Sequence, residues 1–279
     1  MKVERIYLKE YFPELGANGC NAYVDCYIPS PIYEMGEEMA NKKYPCMVVC
    51  PGGGYGMTSE READVIGTQF LAEQYRVFVV RYSVAPHSFP QQIREVAGAM
   101  ELIYKYADEW NADTSKIAIV GFSAGGHLVA QYTNRYDCPE IREIFPESKP
   151  VQASILSYAV LTADPQYTHG GTVFNYVGGH TPISMEEKGC SCELLVTEKT
   201  PPTFLWHTAE DAVVPVENSL FYAKALRDHK VPFELHIYPY GPHGLATADE
   251  LTYVQIEERN RRPHKWLEDV KSWLKLVGF

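Results

Sequence analysis

Short apolar runs recur along the chain, separated by longer stretches in which apolar and polar residues alternate. From residue 46 onward these runs are apolar at nearly every position, which is typical of strands buried on both faces of a parallel sheet. Strand-like runs alternating with helical stretches indicate an α/β fold, a mostly parallel central sheet of about eight strands with helices on both faces. The predicted strands cover residues 3–11, 22–28, 46–50, 77–81, 116–121, 152–157, 203–207 and 233–238.

Between the strands, apolar residues return at intervals of three and four positions, the spacing of one helical face. Ile93, Val96, Met100 and Ile103 form the clearest such series. The predicted helices cover residues 60–73, 91–110, 124–132, 216–229 and 265–276.

Two stretches break this alternation. Residues 29–44 contain prolines, glycine and charges and predict a loop, and residues 162–202 are rich in Gly, Thr, Pro and Cys. Long irregular segments of compact domains are usually functional. We therefore expect a single α/β domain over residues 1–279, with a cap-like insertion at about 162–202 over the substrate site. The alternative is a surface loop without a role.

Composition narrows the class of protein. A chain of 279 residues with 46% apolar residues suits one large domain, and no apolar run approaches the roughly 18 residues of a membrane span. The first residues lack a secretory signal and the seven cysteines resemble free buried thiols, so a cytoplasmic location is expected. The net charge of −11 argues against nucleic acid or an anionic membrane as partner. Cys190 and Cys192 lack zinc-site spacing, so no metal is expected.

The strongest chemical motif is Gly121-Phe122-Ser123-Ala124-Gly125, between a predicted strand and a predicted helix. A serine exposed on a sharp strand-to-helix turn requires small residues two positions away on either side, and glycine occupies both positions. This context predicts that Ser123 is a nucleophile. The alternative is a serine that caps the helix.

A second motif, Pro51-Gly52-Gly53-Gly54-Tyr55, directly follows the third strand. Glycines allow the backbone to approach a ligand closely, and fixed N–H groups stabilise the anion that forms during acyl transfer. We expect the N–H groups of Gly53, Gly54 and Ala124 to form this oxyanion hole. The run lacks the spacing of phosphate-binding loops. We assign Tyr55 to substrate binding, where it would narrow the acyl pocket, with a core aromatic as the equal alternative.

The remaining two catalytic groups are expected after late strands. Asp211 follows the strand at 203–207, and His243 lies in a loop with Gly and Pro after the last strand. His243 would accept the serine proton and Asp211 would orient the imidazole. Glu210 is the rival for the acid. We interpret His127, His207 and His236 as packed or hydrogen-bonded residues.

Taken in order, these motifs resemble the α/β-hydrolase esterases, especially the branch related to hormone-sensitive lipase and the bacterial acetyl-xylan and feruloyl esterase-like proteins. The resemblance extends over nearly the whole chain. It includes the segment 81–86, Arg-Tyr-Ser-Val-Ala-Pro, and the stretch Gly126-His127-Leu128 after the elbow. Pro51 departs from the family, which usually has histidine before the three glycines. The resemblance implies carboxylic-ester hydrolysis without metal or organic cofactor, acting on small-molecule or oligosaccharide esters of carbohydrate type, and a possible homodimer.

Two other functions remain open at this point. An amidase or formamidase would use the same triad on a different bond. A non-catalytic small-molecule binder would keep the fold, although such proteins often lack a triad member and this chain has candidates for all three.

Overall fold

The computed structural model describes residues 1–279 and contains one eight-stranded sheet. The strands follow the order β1-β2-β4-β3-β5-β6-β7-β8 across the sheet. β1 and β2 pair antiparallel with their neighbours, and all pairs from β4 to β8 are parallel. This confirms the predicted fold class. The strands are β1 (Lys2–Tyr7), β2 (Tyr23–Ile28), β3 (Tyr44–Cys50), β4 (Arg76–Arg81), β5 (Ala112–Phe122), β6 (Ala153–Ser157), β7 (Thr203–Thr208) and β8 (Phe233–Tyr238).

Helices cover both faces of the sheet. Successive residues of β3 show this directly, because Cys46, Val48 and Cys50 enter one apolar cluster while Met47 and Val49 enter the other. The helices are α1 (Leu8–Tyr11), α2 (Glu37–Ala40), α3 (Asp64–Leu71), α4 (Gln91–Lys105), α5 (Ala124–Arg135), α6 (Pro139–Arg142), α7 (Gly170–Val177), α8 (Glu217–Asp228) and α9 (Trp266–Leu276). None of them is both long and apolar enough to cross a bilayer.

Three predicted elements are shorter than expected. β1 stops at Tyr7 because Tyr7 pairs with Tyr23, the first residue of β2, and residues 8–11 form the short helix α1 instead. The helix predicted over 60–73 divides into a 3₁₀ turn, Glu60–Glu62, and α3. The helix predicted over 91–110 ends at Lys105, and a turn then leads into β5.

The segment 162–202 is more regular than its composition indicates. It contains α7, and Val173, Tyr176 and Cys192 enter the larger apolar cluster. Short 3₁₀ turns follow at Glu187–Gly189 and Cys192–Leu195. One side of the insertion therefore forms core, and its role as a cap stays a prediction.

Candidate active site

Ser123 stands at the carboxyl end of β5, directly before α5. Its backbone has φ 52° and ψ −119°, a conformation that is strained for a residue with a side chain. Two backbone bonds across the sheet hold it there: Ser123 N–H donates to Ser157 O at 3.0 Å, and Val160 N–H donates to Ser123 O at 3.2 Å. The strained turn is thus fixed by the neighbouring strand.

The glycines on either side of the serine are sterically required. A Cβ on Gly121 would lie 2.3 Å from the Gly125 carbonyl oxygen, and a Cβ on Gly125 would lie 2.2 Å from the Cys50 carbonyl oxygen. Backbone atoms cannot move aside as a flexible side chain can. The elbow therefore places α5 against the end of β3 at a distance that only glycine permits.

The structure brings the three predicted triad residues together. His243 Nε2 lies 2.8 Å from Ser123 Oγ, and His243 Nδ1 lies 2.7 Å from Asp211 Oδ2. An ionised carboxylate can only accept, so Nδ1 carries a proton and Nε2 is free to accept the serine hydroxyl proton. This is the connectivity that a general base needs to activate a hydroxyl nucleophile.

Asp211 is fixed by more than the histidine. Its Oδ1 accepts the backbone N–H groups of Val213 and Val214, each at 2.9 Å, and His207 Nε2 lies 3.4 Å from Oδ2. Burial opposes ionisation, but the hydrogen bonds from His207 and His243 outweigh it and hold the pKa of Asp211 well below its ordinary value. The carboxylate therefore stays charged at neutral pH and can stabilise an imidazolium.

Glu210, the rival acid, points elsewhere. Its Oε1 accepts the N–H of Gly241 at 2.9 Å, and it makes no hydrogen bond with His243. The Glu210 side chain thus supports the histidine loop by binding a backbone N–H group of that loop.

The glycine run after β3 borders the serine. A Cβ on Gly52 would lie 3.0 Å from Ser123 Cβ. Gly53 and Gly54 have φ values of +126° and +62°, which side chains rarely adopt. The N–H groups of Gly53, Gly54 and Ala124 donate to no acceptor in the protein. An oxyanion hole needs N–H groups that are free in this way, one of them on the residue after the nucleophile. The assignment of the hole to these three groups stays a prediction.

Two positioning residues were not foreseen from the sequence. The buried Glu62 carboxylate accepts the Gly52 N–H at 2.9 Å and the Tyr158 hydroxyl at 2.7 Å. The Tyr158 hydroxyl in turn accepts the Ala246 N–H at 2.9 Å, and its ring meets the His243 ring edge-on at 5.0 Å. Glu62 thus links the glycine run to the histidine loop. No sequence signal distinguishes Glu62 from the charged residues around it, such as Glu60 and Asp64.

The structure corrects the assignment of Tyr55 to substrate binding. The side chain is fully buried, packs between Tyr82 and Tyr176, and its hydroxyl lies 2.8 Å from His127 Nδ1. Because Tyr55 itself has φ 56°, the chain turns there and sends the ring into the core instead of the site. Tyr55 is the core aromatic of the alternative interpretation.

The other histidines are hydrogen-bonded as predicted. His127 Nε2 donates to the Cys190 carbonyl at 3.1 Å, and burial lowers the pKa of His127 to about 4. His207 Nε2 donates to the Val214 carbonyl at 2.9 Å, and His236 lies 2.6 Å from Glu234. His207 also contacts Asp211, so it helps to position the candidate catalytic acid in addition to packing in the core.

Comparison with known proteins now places the chain. Its structure resembles that of an acetyl ester-xyloside bifunctional hydrolase from Caldicellulosiruptor lactoaceticus, with a TM-score of 0.77, 32% sequence identity and 96% of each chain covered. The BD-FAE family model matches residues 32–160, which include the glycine run and the elbow. The chain is an α/β hydrolase of the BD-FAE family.

Other relatives of this BD-FAE chain carry related names. It is 37% identical over 218 residues to an endo-1,4-beta-xylanase B of Butyrivibrio fibrisolvens, covering 75% of this chain and 33% of that protein. It is 26% identical over 273 residues to an acetylxylan esterase of Xylanibacter ruminicola, covering 96% of this chain and 51% of that protein. The chain thus spans about a third of the first of these curated relatives and about half of the second.

Proposed function

We propose that the chain is a serine carboxylic-ester hydrolase that acts through an acyl-enzyme intermediate. The observation that carries the proposal is the hydrogen-bonded series from Ser123 through His243 to Asp211, with separations of 2.8 and 2.7 Å. An amidase could use the same groups, and the names of the relatives favour an ester.

The first half-reaction forms the acyl-serine. Ser123 Oγ attacks the ester carbonyl carbon while His243 Nε2 takes its proton, and the carbonyl oxygen becomes an anion held by free N–H groups such as that of Gly53. When the intermediate collapses, the C–O bond to the alcohol breaks and His243 returns the proton to the alcohol oxygen. Asp211 stabilises the imidazolium between these steps.

The second half-reaction releases the acid. Water attacks the acyl-serine, His243 accepts a water proton and then delivers it to Ser123 Oγ as the ester bond breaks. No other reactant is required.

We further propose that the ester carries a short acyl group, acetyl first, on a carbohydrate-type alcohol. The support is the names of the relatives, one an acetylxylan esterase and one an acetyl ester-xyloside hydrolase. A net charge of −11 suits a neutral substrate better than an anionic one.

The test is a set of initial rates on p-nitrophenyl acetate, butyrate and octanoate, with acetate release from acetylated xylo-oligosaccharides. We expect acetate to be preferred in both substrate types and Ser123→Ala to lose at least about 10⁴-fold in kcat. If the variant keeps wild-type rates, the nucleophile assignment is wrong. If only longer acyl chains are hydrolysed, the acetyl proposal is wrong and the serine chemistry stands.

A further inference from the structure

His169 is the residue immediately before α7, in the insertion at 162–202, and no motif in the sequence singled it out. Its Nδ1 lies 3.3 Å from the backbone nitrogen of Thr172 and 2.8 Å from the Thr172 hydroxyl. A backbone N–H can only donate, so Nδ1 is the unprotonated acceptor that caps the helix. The proton of the neutral ring therefore sits on Nε2.

The Nε2–H group has no partner within the protein, although the side chain is partly buried. Burial, followed by the nearby His243, lowers the pKa of His169 below its ordinary value. The ring thus stays neutral at physiological pH and keeps a single N–H donor of fixed tautomer. A donor held in this way is suited to an acceptor that arrives with a ligand.

His169 lies next to the glycine run. Its Cε1 lies 3.8 Å from the position that a Cβ on Gly54 would take. Asn175, further along α7, donates from Nδ2 to the Gly54 carbonyl at 2.8 Å, so α7 lies against the glycine run. A Cβ on Gly52, by contrast, would meet Ser123. His169 therefore lies beside Gly54, at one end of the glycine run, while Gly52 at the other end lies beside Ser123.

The same turn borders a cavity of about 570 Å³ formed within the insertion, lined by Thr168, Gly170 and Gly171. Further lining residues include Pro165, Phe174 and Ile183, and no charged side chain faces it. A neutral, partly apolar space of this size accommodates a sugar unit or two. No triad residue lines the cavity, so it is a neighbour of the reacting centre and not part of it.

We propose that the Nε2–H of His169 donates a hydrogen bond to a hydroxyl or ring oxygen in the alcohol part of the ester, so that His169 is a specificity-determining residue for carbohydrate alcohols. The inference rests on the proposed ester hydrolysis. The oxyanion already has three free backbone donors, at Gly53, Gly54 and Ala124, which leaves His169 for the part of the substrate beyond the ester oxygen.

The test compares His169→Ser with wild type on two acetyl esters. Serine keeps an oxygen that caps α7 but cannot reach the position of Nε2. For acetylated xylo-oligosaccharides we expect KM to rise and kcat/KM to fall about five- to tenfold, as for one neutral hydrogen bond lost. For phenyl acetate, whose alcohol part has no oxygen other than the ester oxygen, both constants should match wild type.

The matched control is His180→Ser in the same insertion, since His180 is exposed and pairs with Glu187. It should leave both substrates unaffected. Equal losses on both esters in His169→Ser would assign His169 to the oxyanion and overturn the proposal, as would no loss on either. If wild type itself fails to hydrolyse esters and its serine does not react with a fluorophosphonate, the proposed function fails first, independently of His169.

Discussion

The elbow around Ser123 and the insertion at 162–202 contribute to the same part of the molecule by different means. In the elbow, backbone meets backbone, and a Cβ on Gly125 would lie 2.2 Å from a carbonyl oxygen. In the insertion, side chains make the contacts: Asn175 Nδ2 donates to the Gly54 carbonyl at 2.8 Å, and His169 caps α7. A Cβ on Gly170 would meet nothing within 4 Å.

The difference shows which of the two regions tolerates amino-acid substitution. Contacts between backbones fix residue identity, because only glycine leaves room for them. Side-chain contacts can be exchanged one at a time for others of similar geometry. The triad residues therefore lie at the carboxyl ends of rigid strands, while His169, the residue proposed to contact the alcohol, lies on a segment that can vary.

The largest expected effect is a difference in the free energy of unfolding between two glycine-to-alanine variants. Gly125→Ala forces α5 away from β3 and should lower the free energy of unfolding by more than about 3 kcal/mol, or prevent folding. Gly170→Ala at the first position of α7 should be neutral or stabilise by up to about 1 kcal/mol, since alanine favours helices. Urea unfolding of both variants measures this. Similar losses in both would remove the distinction between elbow and insertion.

A smaller effect compares two glutamates. Glu62→Gln loses at least one of the two hydrogen bonds to Gly52 and Tyr158, since a side-chain amide has only one accepting oxygen. We expect kcat on p-nitrophenyl acetate to fall about tenfold. In the insertion, Glu193 accepts only the Thr162 hydroxyl, at 2.7 Å, so Glu193→Gln should leave kcat within about twofold. Equal kcat in both variants would show that Glu62 does not position the glycine run.

The smallest effect is the pH dependence of stability. The pKa of Asp211 is lowered in the folded state, so its contribution is present above the unfolded value of about 4 and is lost as the pH falls below it. Burial raises the pKa of Glu193, so this residue costs stability as the pH rises above about 4.3.

These opposite signs can be measured with two variants. Between pH 6 and pH 3, the stability of wild type relative to Asp211→Asn should decrease. The stability of wild type relative to Glu193→Gln should increase over the same range. Thermal unfolding at several pH values gives both slopes, and slopes of the same sign would contradict the assignment of the two charge environments.

The sequence predicts the strands and the elbow better than it predicts the contacts made by side chains. Continuous apolar runs identify β3 to β7 within a few residues, because strands covered on both faces leave few polar positions. β8 differs, since it lies at the edge of the sheet, contains Glu234 and His236 and is only partly buried. Gly121 and Gly125 identify the elbow, because few backbones other than a strained turn need glycine at both positions. Asp211 and His243 follow from their places after late strands.

The parts that could not be predicted depend on contacts between distant segments. The burial of Tyr55 follows from its hydrogen bond with His127, 72 residues along the chain. The bond from Tyr158 to Glu62 spans 96 residues. α7 was missed because its sequence, Gly-Gly-Thr-Val-Phe-Asn-Tyr-Val, has low helix propensity and is held by its cap and its buried face. A local sequence pattern gives no information about such distant partners.

The central claim is that His243 activates Ser123 as a nucleophile. The most direct measurement is intact-protein mass spectrometry after reaction with a fluorophosphonate, followed by peptide mapping, for wild type, Ser123→Ala and His243→Ala. We predict one adduct per wild-type chain, located on Ser123, no adduct in Ser123→Ala and a reaction slowed at least about 10³-fold in His243→Ala. An unlabelled wild type, or an adduct that persists in Ser123→Ala, would contradict the account.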